Sequence, residues 1–151
     1  MSNYWLMKSE PSAFSIDDLA KEKITHWDGV RNYQARNMMR DDMQIGDQVF
    51  FYHSNTTPPG IVGIMTIAKT SYPDFTAFDP ESNYYDPKST IDKPRWFMVD
   101  VKFKRKLKRM ITLEELKVQA ALSDLSLVRK GNRLSIIPVN KQQWGTILDL
   151  E

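Results

Sequence analysis

Two apolar segments joined by a proline-rich turn constrain the fold of this chain more than any other feature. The first, residues 45–55, opens on a Gly-Asp turn and continues as a nearly unbroken apolar run, and the second covers residues 61–70. Such runs are typical of strands that are buried on both faces. Because only the short turn at 56–60 separates them, the sequence predicts an antiparallel pair.

The rest of the chain predicts more strands and several short helices. Further strands are predicted at 3–8, 95–109 and 133–139. Helices are predicted at 15–23, 31–42, 112–118 and 140–150. Residues 71–94 lack a clean period and are predicted to form a long irregular connection. Since no regular helical crossover separates the strands throughout, we expect a mixed α/β small barrel rather than a doubly wound sheet.

Length and composition limit the classes of function. The chain of 151 residues fits a single domain, which we place at 1–151. It has no cysteine, which excludes a disulfide framework, a thiolate nucleophile and a cysteine-based metal site. The two histidines, His26 and His53, show no metal-ligand spacing. We therefore expect no bound metal and no cofactor.

The termini and the net charge bear on localisation and partners. The N-terminal segment has no signal-peptide pattern, and nowhere do eighteen uncharged apolar residues follow one another. We expect a soluble, cytoplasmic protein without a membrane partner. With a net charge of only +2, affinity for a polyanion would have to come from a local cluster of basic residues.

One basic cluster lies in the predicted strand at 95–109. Alternation along the strand places apolar side chains on one face and lysines on the other: Lys102, Lys104, Lys106 and Lys108. Lysines on an exposed strand often prevent edge-to-edge aggregation. Alternatively, they form a phosphate-contacting surface, where each lysine adds salt-dependent affinity that does not depend on base sequence. The sequence leaves both interpretations open.

The segment "WDGVRNYQARNMMR", residues 27–40, combines stacking and hydrogen-bonding groups at the start of a predicted helix. A helical wheel places Ala35, Met38 and Met39 on the buried face, with Arg31 in the same sector. A cation there, at the positive end of the helix, is unfavourable by roughly 0.3–1 kcal/mol unless it meets an anion. Arg31 therefore either pairs with a carboxylate such as Glu10 or Asp28, or faces a ligand pocket together with unpaired backbone N–H groups.

Trp27, just before that helix, has two interpretations. Tryptophans are mostly buried, so a core position is expected from general statistics. The alternative is a stacking platform, because a planar ring beside amide and guanidinium donors is how proteins hold an unstacked base. Asn32, Arg36 and Arg40 form a polar stripe that is typical of a solvated helix face.

A hydrolase is the third class of function considered. The sequence "FYHSN", residues 51–55, ends a buried strand with polar side chains, and pockets often open at such ends. Ser9 or Ser54 could combine with His53 and an aspartate, but no nucleophile-elbow sequence surrounds either serine. The pattern therefore gives little support to a serine hydrolase.

Several longer motifs resemble one known family. "YWLMKSEPSAFSIDDL", "WDGVRNYQARNMMR", "GDQVFFYHSN", "GIVGIMTIAK", "TLEELK" and "RLSIIPV" occur in order from Tyr4 to about Trp144. Together they resemble the EVE domain family. The resemblance implies a PUA-like pseudo-barrel of about five to six mostly antiparallel strands with short helices around it, related in fold to YTH domains. It also implies a non-catalytic reader of a modified base in DNA or RNA.

The resemblance further implies which residues build the base pocket. They lie in four segments of the sequence: Lys8, Ser9 and Glu10; Trp27, Gly29, Val30, Arg31, Asn32 and Asn37; Tyr52, His53 and Ser54; and Arg133, Leu134 and Ser135. One departure is at 131–136, where this chain has "GNRLSI" and many members have "GSRLSV". We expect the side chain of Asn132 to shape the rim of the pocket.

These observations combine into one hypothesis with an alternative. Trp27 would stack on a flipped base, Ser9, Asn32, Asn37 and His53 would hydrogen-bond its edge, and Arg31 would orient the pocket or meet a phosphate. The partner would be DNA or RNA carrying a modified base, bound by a monomer. The alternative is a small-molecule-binding protein whose pocket takes a free nucleobase or an anion.

Overall fold

A computed structural model describes residues 3–151, and its six strands form one mixed sheet. The strands are β1 (Tyr4–Ser9), β2 (Ile24–Trp27), β3 (Gln48–His53), β4 (Gly60–Pro73), β5 (Phe97–Thr112) and β6 (Ile136–Val139). Their order is β2-β5-β4-β3-β1-β6, so β2 and β6 are the two edges and the sheet is not a closed barrel. Among the described residues, the β1–β3 pair is the only parallel one. The predicted mixed α/β class with mostly antiparallel strands is confirmed.

The predicted hairpin is confirmed as the centre of the sheet. Strands β3 and β4 are antiparallel, with Val49 opposite Met65 and Phe50 opposite Ile64. Strand β4 continues to Pro73 and pairs with β5 over most of its length. Several register shifts interrupt that pairing, and such bulges increase the local twist of a sheet. The twist curls the long strands around the apolar interior.

Four short helices cover the sheet: α1 (Ile16–Glu22), α2 (Tyr33–Asn37), α3 (Leu113–Lys117) and α4 (Lys141–Leu148). The side chains of Ser15, Thr112 and Asn140 cap α1, α3 and α4 in capping boxes. Each satisfies backbone N–H groups that the first helical turn leaves unpaired. None of the helices within residues 3–151 has the length and apolarity to cross a bilayer.

The helix predicted at 31–42 begins later and changes form. Asn32 is the N-cap of α2, and a π-helical turn follows at Met38–Asp42. Ala35 and Met39 are fully buried, as the wheel predicts. Arg31 precedes the helix, so its predicted position on the buried face of the helix is wrong. The predicted irregular connection at 71–94 contains the end of β4 and a 3₁₀ turn at Phe75–Phe78, and is otherwise irregular.

Alternation along β3 divides the interior into two cores. Val49 and Phe51 point into the first core, which also contains Trp5, Met7 and Trp27. The neighbouring side chains point into the second core, which includes Leu6, Phe50, Tyr52, Leu116 and Trp144. Successive side chains of a strand alternate between faces, so one strand anchors both cores. The first core adjoins a cavity, and Trp27 and Val30 belong to both.

Candidate functional site

A cavity of about 740 Å³ opens at the edge of the first core. It includes ten of the residues predicted for the pocket: Lys8, Ser9, Glu10, Trp27, Gly29, Val30, Arg31, Ser54, Arg133 and Ser135. Seven further residues complete its lining: Ala13, Phe14, Glu22, Thr25, His26, Asp28 and Tyr84. Segments far apart in the sequence therefore meet at one site.

Backbone hydrogen bonds bring three of these segments together. The parallel register of β1 and β3 places Ser9 beside His53. Just beyond, the N–H of Ser54 donates to the carbonyl of Ser9 at 3.0 Å. On the other side of β1, the N–H of Lys8 donates to the carbonyl of Ser135 at 2.9 Å. The three chain segments therefore meet at the same end of these neighbouring strands.

Trp27 belongs both to the first core and to the cavity wall. It ends β2, opposite Val99 of β5. Its ring meets Phe51 edge-on with centroids 5.5 Å apart, and the residue is only 8% exposed. The two sequence interpretations of Trp27 are therefore compatible, since most of the ring packs in the core while the rest borders the cavity.

Arg31 forms the internal ion pair considered from the sequence, but with a different partner. Its Nη1 lies 3.0 Å from Oδ2 of Asp74, not beside Glu10 or Asp28. The side chain of Asp74 is fully buried and also accepts hydrogen bonds from the Gly29 N–H and the Thr76 N–H. Burial by itself raises the pKa of Asp74, but hydrogen bonds from Thr76, Gly29 and Arg31 outweigh it and hold that pKa below its usual value. The carboxylate stays charged and fixes the start of the 74–96 segment.

Tyr84 is one of the seven lining residues that were not predicted for the pocket. Its carbonyl accepts hydrogen bonds from Nε and Nη2 of Arg31 at 3.1 and 2.7 Å. Its ring covers Gly29, where φ is +82° and an added methyl group would come within 2.7 Å of the ring. The residue is nevertheless 42% exposed. Arg31 thus links Asp74 to the backbone of Tyr84 and holds the exposed Tyr84 ring beside the cavity.

Three of the predicted pocket residues are not among the cavity-lining residues, and their polar atoms have other partners. Oδ1 of Asn32 accepts from the Ala35 N–H at 3.0 Å and caps α2. Oδ1 of Asn37 accepts from Arg36 at 3.1 and 2.7 Å. Nε2 of His53 accepts from the Ile16 N–H at 3.1 Å, which requires a neutral imidazole, and burial lowers the pKa of His53 accordingly. Asn32 and His53 therefore bind backbone N–H groups, whereas Asn37 binds the side chain of Arg36.

Tyr52 and Leu134 also lie outside the cavity lining. Tyr52 is in the second core, where burial raises its pKa to about 12, and Leu134 packs against the same core. Asn132 is not among the lining residues either. Its Oδ1 accepts from the Leu134 N–H at 3.1 Å and orders the backbone that presents Arg133.

The lysine face of β5 is exposed and lies apart from the cavity lining. Nζ of Lys104 donates to Gln48 at 2.8 Å, and Nζ of Lys106 lies 2.6 Å from Asp17. Lys102 and Lys108 are exposed as well. None of the four is among the residues that line the cavity. Their predicted phosphate contacts stay a prediction.

The cavity does not contain the hydrogen bonds of a serine hydrolase. The hydroxyl of Ser9 donates to the carbonyl of Phe14 at 2.6 Å. The Nε2 atom of His53 already accepts from the backbone of α1. In the part of the chain from Asn3 onward, no cluster of three or more histidine, aspartate or glutamate side chains could hold a metal ion. The arrangement suits the binding of a ligand between an aromatic ring and polar groups.

Comparison with known proteins gives the family. The sequence model of the EVE domain matches residues 3–150. The chain is a member of the EVE domain family. Thymocyte nuclear protein 1 of Mus musculus is 48% identical over 170 residues, which cover 100% of this chain and 74% of that protein.

Two solved structures show how closely the fold of this EVE domain matches its relatives. A protein from Pseudomonas syringae is 53% identical with a TM-score of 0.95, covering 97% of this chain and 98% of the other. The human THYN1 protein is 46% identical with a TM-score of 0.89, covering 99% and 97%. That human protein was crystallised in complex with 5-methylcytosine containing DNA.

Proposed function

We propose that this EVE domain binds a modified base of DNA or RNA in the cavity beside Trp27, without catalysing a reaction. The observation that carries the proposal is an exposed tyrosine ring and a buried tryptophan in one polar cavity. The crystallised complex of the human relative with 5-methylcytosine containing DNA supports it. A flipped base needs such a pocket, because it loses its stacking partners on leaving the helix.

Tyr84 is the side chain better placed to stack on the base. Trp27 is 8% exposed and its ring is engaged by Phe51, whereas Tyr84 is 42% exposed. Stacking on an aromatic side chain contributes about 1–3 kcal/mol per base, while flipping costs a few kcal/mol. Stacking therefore offsets part of that cost, and polar contacts to the base edge have to supply the remainder and the selectivity.

The charges of the cavity favour a neutral base over a free anion. Cationic groups come from Lys8, Arg31 and Arg133, while carboxylates come from Glu10, Glu22 and Asp28. Burial lowers the pKa of Lys8. The edge of a base presents both donors and acceptors, so it can pair with groups of both kinds. For a free anion, repulsion by the three carboxylates would offset the attraction of the three cations.

A titration with matched oligonucleotides tests the proposal. Short single- and double-stranded DNA and RNA, with and without 5-methylcytosine, would be titrated against the wild type, Trp27→Ala and Tyr84→Ala. Tyr85→Ala is the matched control, since Tyr85 is adjacent and 43% exposed but does not line the cavity. We expect tighter binding of one modified oligonucleotide, lost in Tyr84→Ala and kept in Tyr85→Ala.

Two results would contradict the proposal. Equal affinity of the wild type for modified and unmodified oligonucleotides would exclude selective recognition of that modification. Selective binding that survives both Tyr84→Ala and Trp27→Ala would place the base elsewhere on the molecule.

A further titration, with the free base 5-methylcytosine, tests the small-molecule alternative. Saturation by the free base at concentrations where the oligonucleotide does not bind would favour that alternative.

A further inference from the structure

One side of the cavity is bordered by an exposed basic turn at residues 129–133, here called the rim turn. It contains Arg129, Lys130 and Arg133, and all three side chains are exposed. Arg133 also lines the cavity. These three cations lie within five residues of one another, beside a cavity whose lining includes Lys8 and Arg31 as well as three carboxylates.

The backbone of the rim turn is well defined by its hydrogen bonds. The Asn132 N–H donates to the carbonyl of Arg129, and the Leu134 N–H donates to Oδ1 of Asn132. Gly131 has φ +81°, which a type II turn requires at its third position and which glycine adopts without steric cost. The turn therefore projects its basic side chains outward instead of folding them against the sheet.

The rim turn and the basic strand β5 differ in whether their basic side chains form ion pairs. Along β5, Arg105 pairs with Glu151, Lys106 with Asp17 and Arg109 with Glu115. Within residues 3–151, no carboxylate lies within salt-bridge distance of the three rim cations. Cations that lack an internal partner can contact an external anion without first giving up an ion pair.

We propose that the rim turn contacts the phosphate backbone on either side of a base held in the cavity, through Arg129 and Lys130. This inference rests on the proposed function, because it supposes a nucleic acid whose base occupies the cavity. Arg133, which lines the cavity, is close enough to contact that same nucleotide. Phosphate contacts fix register and orientation but carry no base information, so the rim turn supplies affinity while the cavity supplies selectivity.

The test compares two charge-matched double variants. Arg129→Gln/Lys130→Gln removes two cations of the rim turn. Lys102→Gln/Lys108→Gln removes two cations of β5 that are also exposed and without a carboxylate partner among the described residues. Arg133 is left unchanged because it lines the cavity. Affinity for modified and unmodified duplexes is measured for each protein across a salt series, and thermal unfolding checks that both variants fold.

We expect the rim variant to bind both duplexes more weakly by the same factor, so that the preference for the modified base is kept. Each phosphate contact to duplex DNA adds about 0.9 to the slope of log affinity against log salt. Loss of two contacts lowers the slope by about 1.8, and the advantage of the wild type shrinks about twelvefold between about 50 and about 200 mM salt. The β5 variant should keep the wild-type slope.

The outcomes separate this inference from the proposed function. A selective wild type whose rim variant keeps the full salt slope would overturn the rim turn as a phosphate contact and leave base reading intact. A reduced slope in the β5 variant alone would overturn it in favour of the lysine face. A wild type without base preference, whose rim variant loses slope, would overturn base reading and support the phosphate contact.

Discussion

The two faces of the sheet share their strands but differ in how completely they are packed. On one face, Trp144 stacks on Phe50 with ring centroids 3.8 Å apart and also lies against Tyr4. On the other, Trp27 meets Phe51 edge-on at 5.5 Å and borders the cavity. Their exposures are nearly equal, at 5% and 8%. Burial alone therefore does not separate a tryptophan of the packed core from one that borders a cavity, whereas the neighbours of each ring do.

Trp144→Ala should have the largest effect on stability. The indole is enclosed by aromatic rings of the second core, and its removal leaves a cavity that these rings cannot easily fill. We expect a loss of about 5 kcal/mol in the free energy of unfolding, the upper end for such truncations. Urea denaturation measures it. A loss below about 2 kcal/mol would mean that the second core repacks and that the two faces are equally adaptable.

Trp27→Ala should reduce the stability less than Trp144→Ala does, but it should reduce the affinity for the modified oligonucleotide more. Part of its ring already borders open space, so fewer packing contacts are lost. We expect about 3 kcal/mol, the low end for a buried tryptophan, together with reduced affinity for the modified oligonucleotide. Comparison with Trp144→Ala under native conditions is the control. Equal binding defects in the two variants would indicate general loosening of the fold instead of a local role for Trp27.

Gly29→Ala should have a modest effect on stability and disturb the cavity. A left-handed conformation costs an L-residue roughly 1–2 kcal/mol, and the new methyl group would displace the exposed Tyr84 ring. We expect the same binding defect as in Tyr84→Ala. In the double variant, Gly29→Ala should add no further loss of binding, because the ring that it displaces is gone. Additive binding losses would show that Gly29 acts through another contact.

The fold was predictable where neighbouring residues decide the structure. The apolar runs on each side of the turn at 56–60 predict the hairpin, and β3 and β4 confirm it. The buried positions Ala35 and Met39 follow from helical periodicity. The π-helical turn at Met38–Asp42 and the open edges of the sheet depend on packing between distant segments, and a local pattern contains no information about them.

The cavity was predictable only in part, for the same reason. The resemblance to the family named the segments around Ser9 and Trp27. It did not identify Asp74 and Tyr84, which lie 43 and 53 residues from Arg31 along the chain. Their segment has no period that would indicate what it packs against. Two adjacent tyrosines in a polar irregular stretch were the available signal of an aromatic surface.

The smallest predicted effect is a pH dependence that distinguishes the two faces. His53 lies at the end of β3 near the cavity, and its neutral imidazole accepts a hydrogen bond from the Ile16 N–H. Burial lowers the pKa of His53 in the folded state; Asp17 opposes and Lys106 assists this shift. A folded-state pKa below the unfolded value of about 6.5 means that the neutral form stabilises the fold. That contribution is present above pH about 6.5 and is lost as the pH falls through the folded pKa.

His53→Gln tests this dependence, because a glutamine carbonyl oxygen can accept the same hydrogen bond without titrating. The free energy of unfolding of the wild type should fall more steeply than that of the variant as the pH is lowered from about 7 to about 5. The other titrating groups are present in both proteins and cancel in the difference. Parallel curves would show that protonation of His53 is tolerated at the start of α1. The polar contacts around the cavity would then be no more sensitive to pH than the apolar second core.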